Sequence, residues 1–353
     1  KGQNIKSRVE NFMQVYYKHA IAISEVNDIL MQHFRETMYP EKPKASIRLN
    51  DRFSVCDGYL ELNNESVFVQ SPSALMEMFV VMANNPQIEG VNSRTIRVVR
   101  KNLHLVNKSF RSDPKICALF IELLKSPFTL VTQLTRMRRY GILGRYIPAF
   151  GSIIGQMQHD LFHTYTVDAH TMLVIKNMRR FRYRSAREDY PIAYHCTRSI
   201  PKVELLYLAG LFHDIGKGSG MDHSIAGASI AENFCKAHKI SAADTELVCW
   251  LVENHLYMST VSQREDIYDP AVVIDFATKI NSEVRLNYLY ALTVADLNAT
   301  NSRLWNSWRA TLLRHLYLEA RKVLRNRSEY QSDRDEMIKS HQERALEKVN
   351  GQY

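Results

Sequence analysis

Apolar residues recur at helical intervals through most of this chain. In residues 1–40, Phe12, Val15, Tyr16, His19 and Ile23 follow one another by steps of one, three and four, and the spacing predicts a long helix. Between residues 45 and 70 the period changes. FSVCDGYLEL and SVFVQ are short β-prone runs broken by Asp-Gly and Asn-Asn, which predicts a small hairpin. SPSALMEMFVVMANNP restarts a helix, with Ser71 or Ser73 as N-cap and Asn-Asn-Pro as the stop. From residue 90 onward the pattern is almost wholly helical, without the strand–helix alternation of a Rossmann-type sheet. Gly and Pro punctuate GILGRYIPAFGSIIGQMQ (141–158), where a boundary is expected, and SAREDYPIAYHCTRSIP (185–201) reads as a loop. The expected fold is mainly α, a helical region with a small β-hairpin followed by a helical domain, ending in a polar helix or tail over 326–353.

Five inward stripes carry polar side chains. They are Val167, His170, Val174, Met178; Leu205, Leu208, Phe212, leading into His213 and Asp214; His223, Gly227, Ile230, Phe234; Leu247, Leu251, His255, Met258; and Leu289, Leu292, Asp296, Ala299. Gly216 and Gly218 supply a stop after the second. Taken singly, a His on such a stripe is usually a hydrogen-bonded core residue, and an Asp is often a cap or ion-pair partner. Six together on five helices would each need a separate buried partner, whereas one or two divalent cations satisfy them jointly. Imidazole and carboxylate without thiolate suit Mn²⁺, Fe²⁺, Co²⁺ or Zn²⁺, and Mg²⁺ if few His take part. A cation with open positions lowers the pKa of bound water and polarises phosphorus, so phosphoester hydrolysis is the natural chemistry. Lys217 and Arg179 or Arg180 could offset phosphate charge, although a solvated surface is the ordinary place for a lone cation. His163, two helical turns before His170, could reach the mouth of the site as a substrate contact or serve as a structural cap.

Composition narrows the class. At 353 residues, with 45% hydrophobic and 24% charged positions, the chain fits two or three globular domains. No run of 18 apolar residues exists, so no membrane span is expected. The start, KGQNIKSRVENF, has neither initiator Met nor apolar signal core and reads as an excised fragment. Five cysteines without C-x-x-C spacing read as reduced thiols of a cytoplasmic protein. The net charge of +9 permits an acidic or phosphorylated partner, but it is spread over short clusters such as RTIRVVRK and RRFRYRSAR, and nucleic acid is not expected. GLFHDIGKG is not a P-loop, because its spacing is G-x₅-G-K-G and neither Ser nor Thr follows Lys217. SDRDE (332–336) lies in the polar tail and reads as a solvated charge run.

The order His170 … His213-Asp214 … Asp296, with HDIGK, DHSIAGA and LVENHL, resembles the signature of the HD superfamily of metal-dependent phosphohydrolases. Longer stretches resemble one family within it, the bifunctional uridylyltransferase/uridylyl-removing enzymes of bacterial nitrogen control. They are RLNDRFSVCDGYLEL (48–62), EGVNSRTIRVVRKN (89–102), LTRMRRYGILGRYIPAFGSIIGQMQ (134–158) and MQHDLFHTYTVDAHTMLVIKNMRRF (157–181). The resemblance implies a helical and hairpin region over 1–145, following a nucleotidyltransferase core, and an HD domain over 146–325. The resemblance does not take in the catalytic Gly-Ser and Asp-x-Asp elements of that core, and the βαββαβ pattern of the family's ACT domains is not visible in these 353 residues. Uridylyl transfer is therefore not expected of the chain. The resemblance further implies metal ligation by His170, His213, Asp214 and Asp296, with Mn²⁺ or Mg²⁺ foremost. His223 and His255 would hold a second metal, contact phosphate, or act as acid toward the leaving oxygen. The implied substrate is the UMP–tyrosine phosphodiester of the PII signal protein, with UMP as product. Two other readings remain at this point: an HD phosphohydrolase acting on nucleotides or RNA ends, and a non-catalytic scaffold that docks PII.

Overall fold

The computed structural model describes residues 5–38, 46–157, 165–219, 221–301 and 305–325, so His163 and the polar stretch from 326 lie outside the described residues. Among those described, nineteen α-helices and one four-stranded sheet form, as a mainly α chain requires. No helix among them is long and apolar enough to cross a membrane. The chain divides into two compact units. The first runs to Arg179 and includes Lys202–Glu253 and Ala299–Asn301; the second takes Arg180–Pro201, Asn254–Asn298 and the residues from Ser302.

The helix Ile5–Met38 opens the first unit. None of its described side chains is buried; Phe12 and Ile23 are 69% and 70% exposed. Polar residues hold it instead. Gln14 Nε2 donates to the Ser152 carbonyl at 2.8 Å, Gln32 Nε2 donates to the Val91 carbonyl at 2.5 Å, and Asp28 pairs with Arg139.

The sheet runs β1 (Ile47–Arg48), β2 (Phe53–Cys56), β3 (Tyr59–Leu62), β4 (Gly90–Val91). Asp57 and Gly58, both at positive φ, close the expected β2–β3 hairpin in a two-residue turn. The hairpin is only the centre of the sheet: β1 adds antiparallel to β2, and β4 adds parallel to β3. SVFVQ is a correction to the expected β-prone run, because Val67–Gln70 form one helical turn. Val67 and Phe68 are neighbours and both buried, a pattern that the alternating faces of a half-buried strand do not give.

Two helices supply much of the core beside the sheet. Ala74–Asn84 buries Leu75, Met78, Phe79 and Met82 against Ile116, Phe120, Leu123 and Leu124 of Pro114–Lys125. The second helix starts on a proline, capped by the Asp113 side chain, which accepts the Lys115 N–H at 2.8 Å. The Gly- and Pro-rich stretch after residue 141 folds as two short helices, Ile142–Tyr146 and Pro148–Ile153, packed so closely that a Cβ on Gly151 would lie 2.6 Å from the Gly144 carbonyl oxygen.

An aromatic cluster joins these helices to His223–Ala237. Tyr146 Oη lies 2.5 Å from His238 Nε2, His238 Nδ1 lies 2.8 Å from the Phe234 carbonyl, and the Phe234 and His238 rings stack at 3.7 Å. Burial pushes His238 down to about 4. Unfolded, the imidazole takes a proton below about pH 6.5, which the folded chain refuses. Its contribution is therefore complete above pH 6.5 and is lost as pH falls toward 4, by up to about 3 kcal/mol. Urea midpoints of the wild type should drop across that window, and His238→Gln should flatten the drop; an unchanged slope would refute the assignment.

In the second unit the expected loop 185–201 is a correction, since Ala186–Asp189 and Pro191–Ser199 are helices. Pro191 stands at the first turn, where a proline begins a helix as readily as it ends one. Asn287 ties the core together, accepting Tyr317 Oη at 2.8 Å and Cys196 Sγ at 3.5 Å. Glu283 accepts from Arg321 at 2.6 Å and Arg325 at 2.7 Å. All five cysteines are free, and burial pushes the Cys196 thiol up to about 12.

Candidate metal centre

Two helices deliver the central side chains. Val167–Arg180 carries His170 in its first turn, on a face with Val167, Val174 and Met178, all buried. Val203–Phe212 ends in His213 as its C-cap, followed at once by Asp214. Gly210 lets the two helices close: a Cβ there would lie 2.8 Å from Met178 Cε. The turn after Asp214 is equally tight. Gly218 sits at φ +84°, and a Cβ on Gly216 would come 2.3 Å from the His223 carbonyl, so the turn lies directly on the start of helix His223–Ala237. Asp222 caps that helix by accepting the Ser224 and Ile225 N–H groups.

The result is a buried convergence of Lewis-basic atoms. His170 Nε2 and His213 Nε2 are 3.2 Å apart, and Asp214 Oδ2 lies 3.6 Å and 3.3 Å from them. His170, His213 and Asp214 are 2%, 1% and 3% exposed. His213 Nδ1 donates to the Gly210 carbonyl at 2.8 Å, which fixes the tautomer and turns the Nε2 lone pair toward Asp214 and His170. These three ligand atoms fall within 4.8 Å of one another, a donor set that fits a divalent cation of intermediate hardness. Lys217 Nζ reaches Asp214 Oδ2 at 2.6 Å, and His223 Nε2 lies 3.8 Å from Asp214 Oδ1.

Charge follows from this geometry. Burial alone would raise the Asp214 carboxyl, but His213, Lys217 and His170 outweigh it and hold the group well below the usual carboxylate range. Burial pushes the His223 imidazole below its ordinary value, against the pull of Asp214, so it is neutral at pH 7. The Asp214 carboxylate is thus ionised and the His223 imidazole unprotonated where a metal needs them to be.

The first unit by itself gathers His170, His213, Asp214, Lys217 and His223. His255 and Asp296 belong to the second unit. His255 is buried, but helix Ala242–Glu253 has ended before it, so it stands in a turn and not on a continuing stripe. Asp296 is half-buried on Glu283–Thr300. The inward face of His223–Ala237 runs through Ser224, Gly227, Ala231 and Cys235, one step round from the expected stripe, which leaves His223 half-buried at its edge. The Lys217 side chain is only 8% exposed and is not a solvated cation, and Arg179 is buried beside the Tyr207 hydroxyl at 3.4 Å. Arg180 is exposed and pairs with Asp189 at 3.0 Å. Sequence reasoning missed Asp168, a fully buried carboxylate two residues before His170 that pairs with Arg138 at 2.6 Å. An acid at the start of an apolar stripe was its only signal.

Residues 159–282 match the model of the HD domain, and residues 53–146 match that of the uridylyltransferase GlnD third domain. The bifunctional uridylyltransferase/uridylyl-removing enzyme of Pseudomonas aeruginosa (strain LESB58) is 52% identical over 98% of this chain and 39% of its own length. That of Pseudomonas fluorescens (strain SBW25) is 50% identical over the same shares, 98% and 39%. That of Azotobacter vinelandii (strain DJ) is 52% identical over 97% of the chain and 38% of its own. The chain belongs to the bifunctional uridylyltransferase/uridylyl-removing enzyme family. It spans about two-fifths of the length of these relatives, 39% for the Pseudomonas enzymes, and carries the family's HD domain.

Proposed function

We propose that this chain removes UMP from the uridylylated tyrosine of the PII signal protein by metal-dependent phosphodiester hydrolysis. The observation that supports it most is the buried meeting of His170 Nε2, His213 Nε2 and Asp214 Oδ2 in a chain half identical to enzymes named for uridylyl removal. In this reading those three side chains hold the cation, Mn²⁺ or Mg²⁺. When bound, the cation supplies Lewis acidity for attack of water on phosphorus. Lys217 offsets charge on the phosphodiester, and neutral His223 presents an N–H to a phosphoryl oxygen. Residues 1–145 and 146–325 form the region after the transferase core and the HD domain, and transfer from UTP is expected to be absent.

Incubation of uridylylated PII with the chain and Mn²⁺ should release UMP, EDTA should stop it, and added Mn²⁺ should restore it. No UMP, where a full-length relative releases it, would remove the reading.

A further inference from the structure

Asp168 takes no part in the scheme above, yet it is held from two sides beside the metal centre. Its carboxylate is fully buried. Arg138 Nε donates to Oδ2 at 2.6 Å, and the Gly155 N–H donates to Oδ1 at 2.9 Å. One residue earlier, the Val167 N–H donates to the Gln156 carbonyl at 2.8 Å. The first turn of the His170 helix is therefore moored to residues 155–156.

Those residues touch two other elements. Gly155 sits at φ +72°, and a Cβ there would lie 3.1 Å from the Gln14 carbonyl oxygen and from the Lys18 nitrogen. Gln14 in turn donates to the Ser152 and Ile154 carbonyls. On the other side, a Cβ on Gly218, in the turn after Asp214, would meet Gln156 Nε2 at 2.7 Å. Residues 152–156 thus connect the long helix, the His170 helix and the turn carrying Lys217.

A buried ion pair adds little stability over a well-packed apolar pair. Its distinctive effect is geometric: two-point contact with a carboxylate fixes both the rotation and the axial position of the turn that bears it. Metal ligation tolerates only a few tenths of an ångström, so a slide of that turn would be read at His170 Nε2.

We propose that Asp168 is a positioning residue for His170, and that the Arg138–Asp168–Gly155 clamp sets the metal affinity of the site. The inference rests on the metal-centre reading above. It makes residues 130–156, which lie largely within the stretch matching the third-domain model, a determinant of the HD site.

The test uses the full chain and Mn²⁺ alone, by calorimetric titration. Asp168→Asn keeps the shape and the acceptor for Gly155 but loses the charge facing Arg138. It should weaken Mn²⁺ binding about 10–100-fold. Arg138→Lys, which keeps the charge and loses the planar Nε contact, should fall between that variant and wild type; it decides the matter if Asp168→Asn does not fold. UMP release should recover at saturating Mn²⁺ with KM for uridylylated PII unchanged. A merely structural role would lower the melting temperature of the metal-free chain and leave the Mn²⁺ affinity of folded protein as it was. Mn²⁺ binding by both variants within twofold of wild type overturns the inference. Wild-type chain that binds Mn²⁺ but releases no UMP overturns the proposed substrate instead, and the titration still judges the clamp.

Discussion

Asp214→Asn is expected to lower UMP release about 1,000-fold and to abolish any rise in melting temperature on adding Mn²⁺, since a bound Lewis acid supplies several kcal/mol to such a reaction. The carboxylate is the hub of the cluster, 3.6 Å and 3.3 Å from the two imidazole nitrogens and 2.6 Å from Lys217 Nζ. Its loss acts on the metal-free chain too. The Lys217 side chain is only 8% exposed, and removing the anion from such a pair costs about 3 kcal/mol or more. The sign of the pH dependence follows from the depressed carboxyl. Its contribution is present above the ordinary carboxylate value near 4 and is lost only as pH falls through the lower folded value. Above that ordinary value the titration of Asp214 itself should therefore add no slope to the stability deficit of Asp214→Asn. Urea titration at three pH values, together with kcat, checks both parts. A variant that keeps its Mn²⁺ response would remove Asp214 from the ligand set.

Gly216→Ala should be nearly as damaging without touching any polar group. The new methyl would lie 2.3 Å from the His223 carbonyl, 2.8 Å from the Gly227 nitrogen and 3.0 Å from Ala226 Cβ. No flexible side-chain tip stands in the way, so the turn bearing Lys217 or the start of the His223 helix must move. Overpacking of this kind costs about 1–3 kcal/mol or more. A shift near 1 Å at the site would lower kcat about 100-fold. Gly58→Asn is a useful contrast, because there a Cβ meets only the flexible Glu89 side chain at 3.5 Å and Asn tolerates the positive φ. Wild-type stability and kcat in Gly216→Ala would show that the turn packs more loosely than the geometry requires.

Much of the helical fold was legible in the sequence because burial imposes a period. Val167, Val174 and Met178 are buried as their spacing demands, and His170 lies among them. The Asp-Gly turn announced the hairpin because only a few residues accept positive φ in succession. Other features depend on contacts that no local pattern encodes. Strands β1 and β4 are two residues each, too short to display alternation. The helix Ile5–Met38 meets its unit through Gln14, Gln32 and Asp28, polar residues that ordinarily mark a solvated face. Lys217 looked like a surface cation because its partner, Asp214, reads first as a ligand. Asp168 and Arg138 are thirty positions apart, and only folding makes them a pair. His170, His213 and Asp214 stood out since imidazoles and a carboxylate on apolar faces conflict with burial unless something resolves the conflict.

The central claim is that His170, His213 and Asp214 share one cation. An anomalous difference map from crystals of this chain soaked in Mn²⁺ tests it most directly. The account predicts a peak about 2.0–2.3 Å from His170 Nε2, His213 Nε2 and an Asp214 carboxylate oxygen together. Full Mn²⁺ occupancy elsewhere, with no peak between these three side chains, would contradict it.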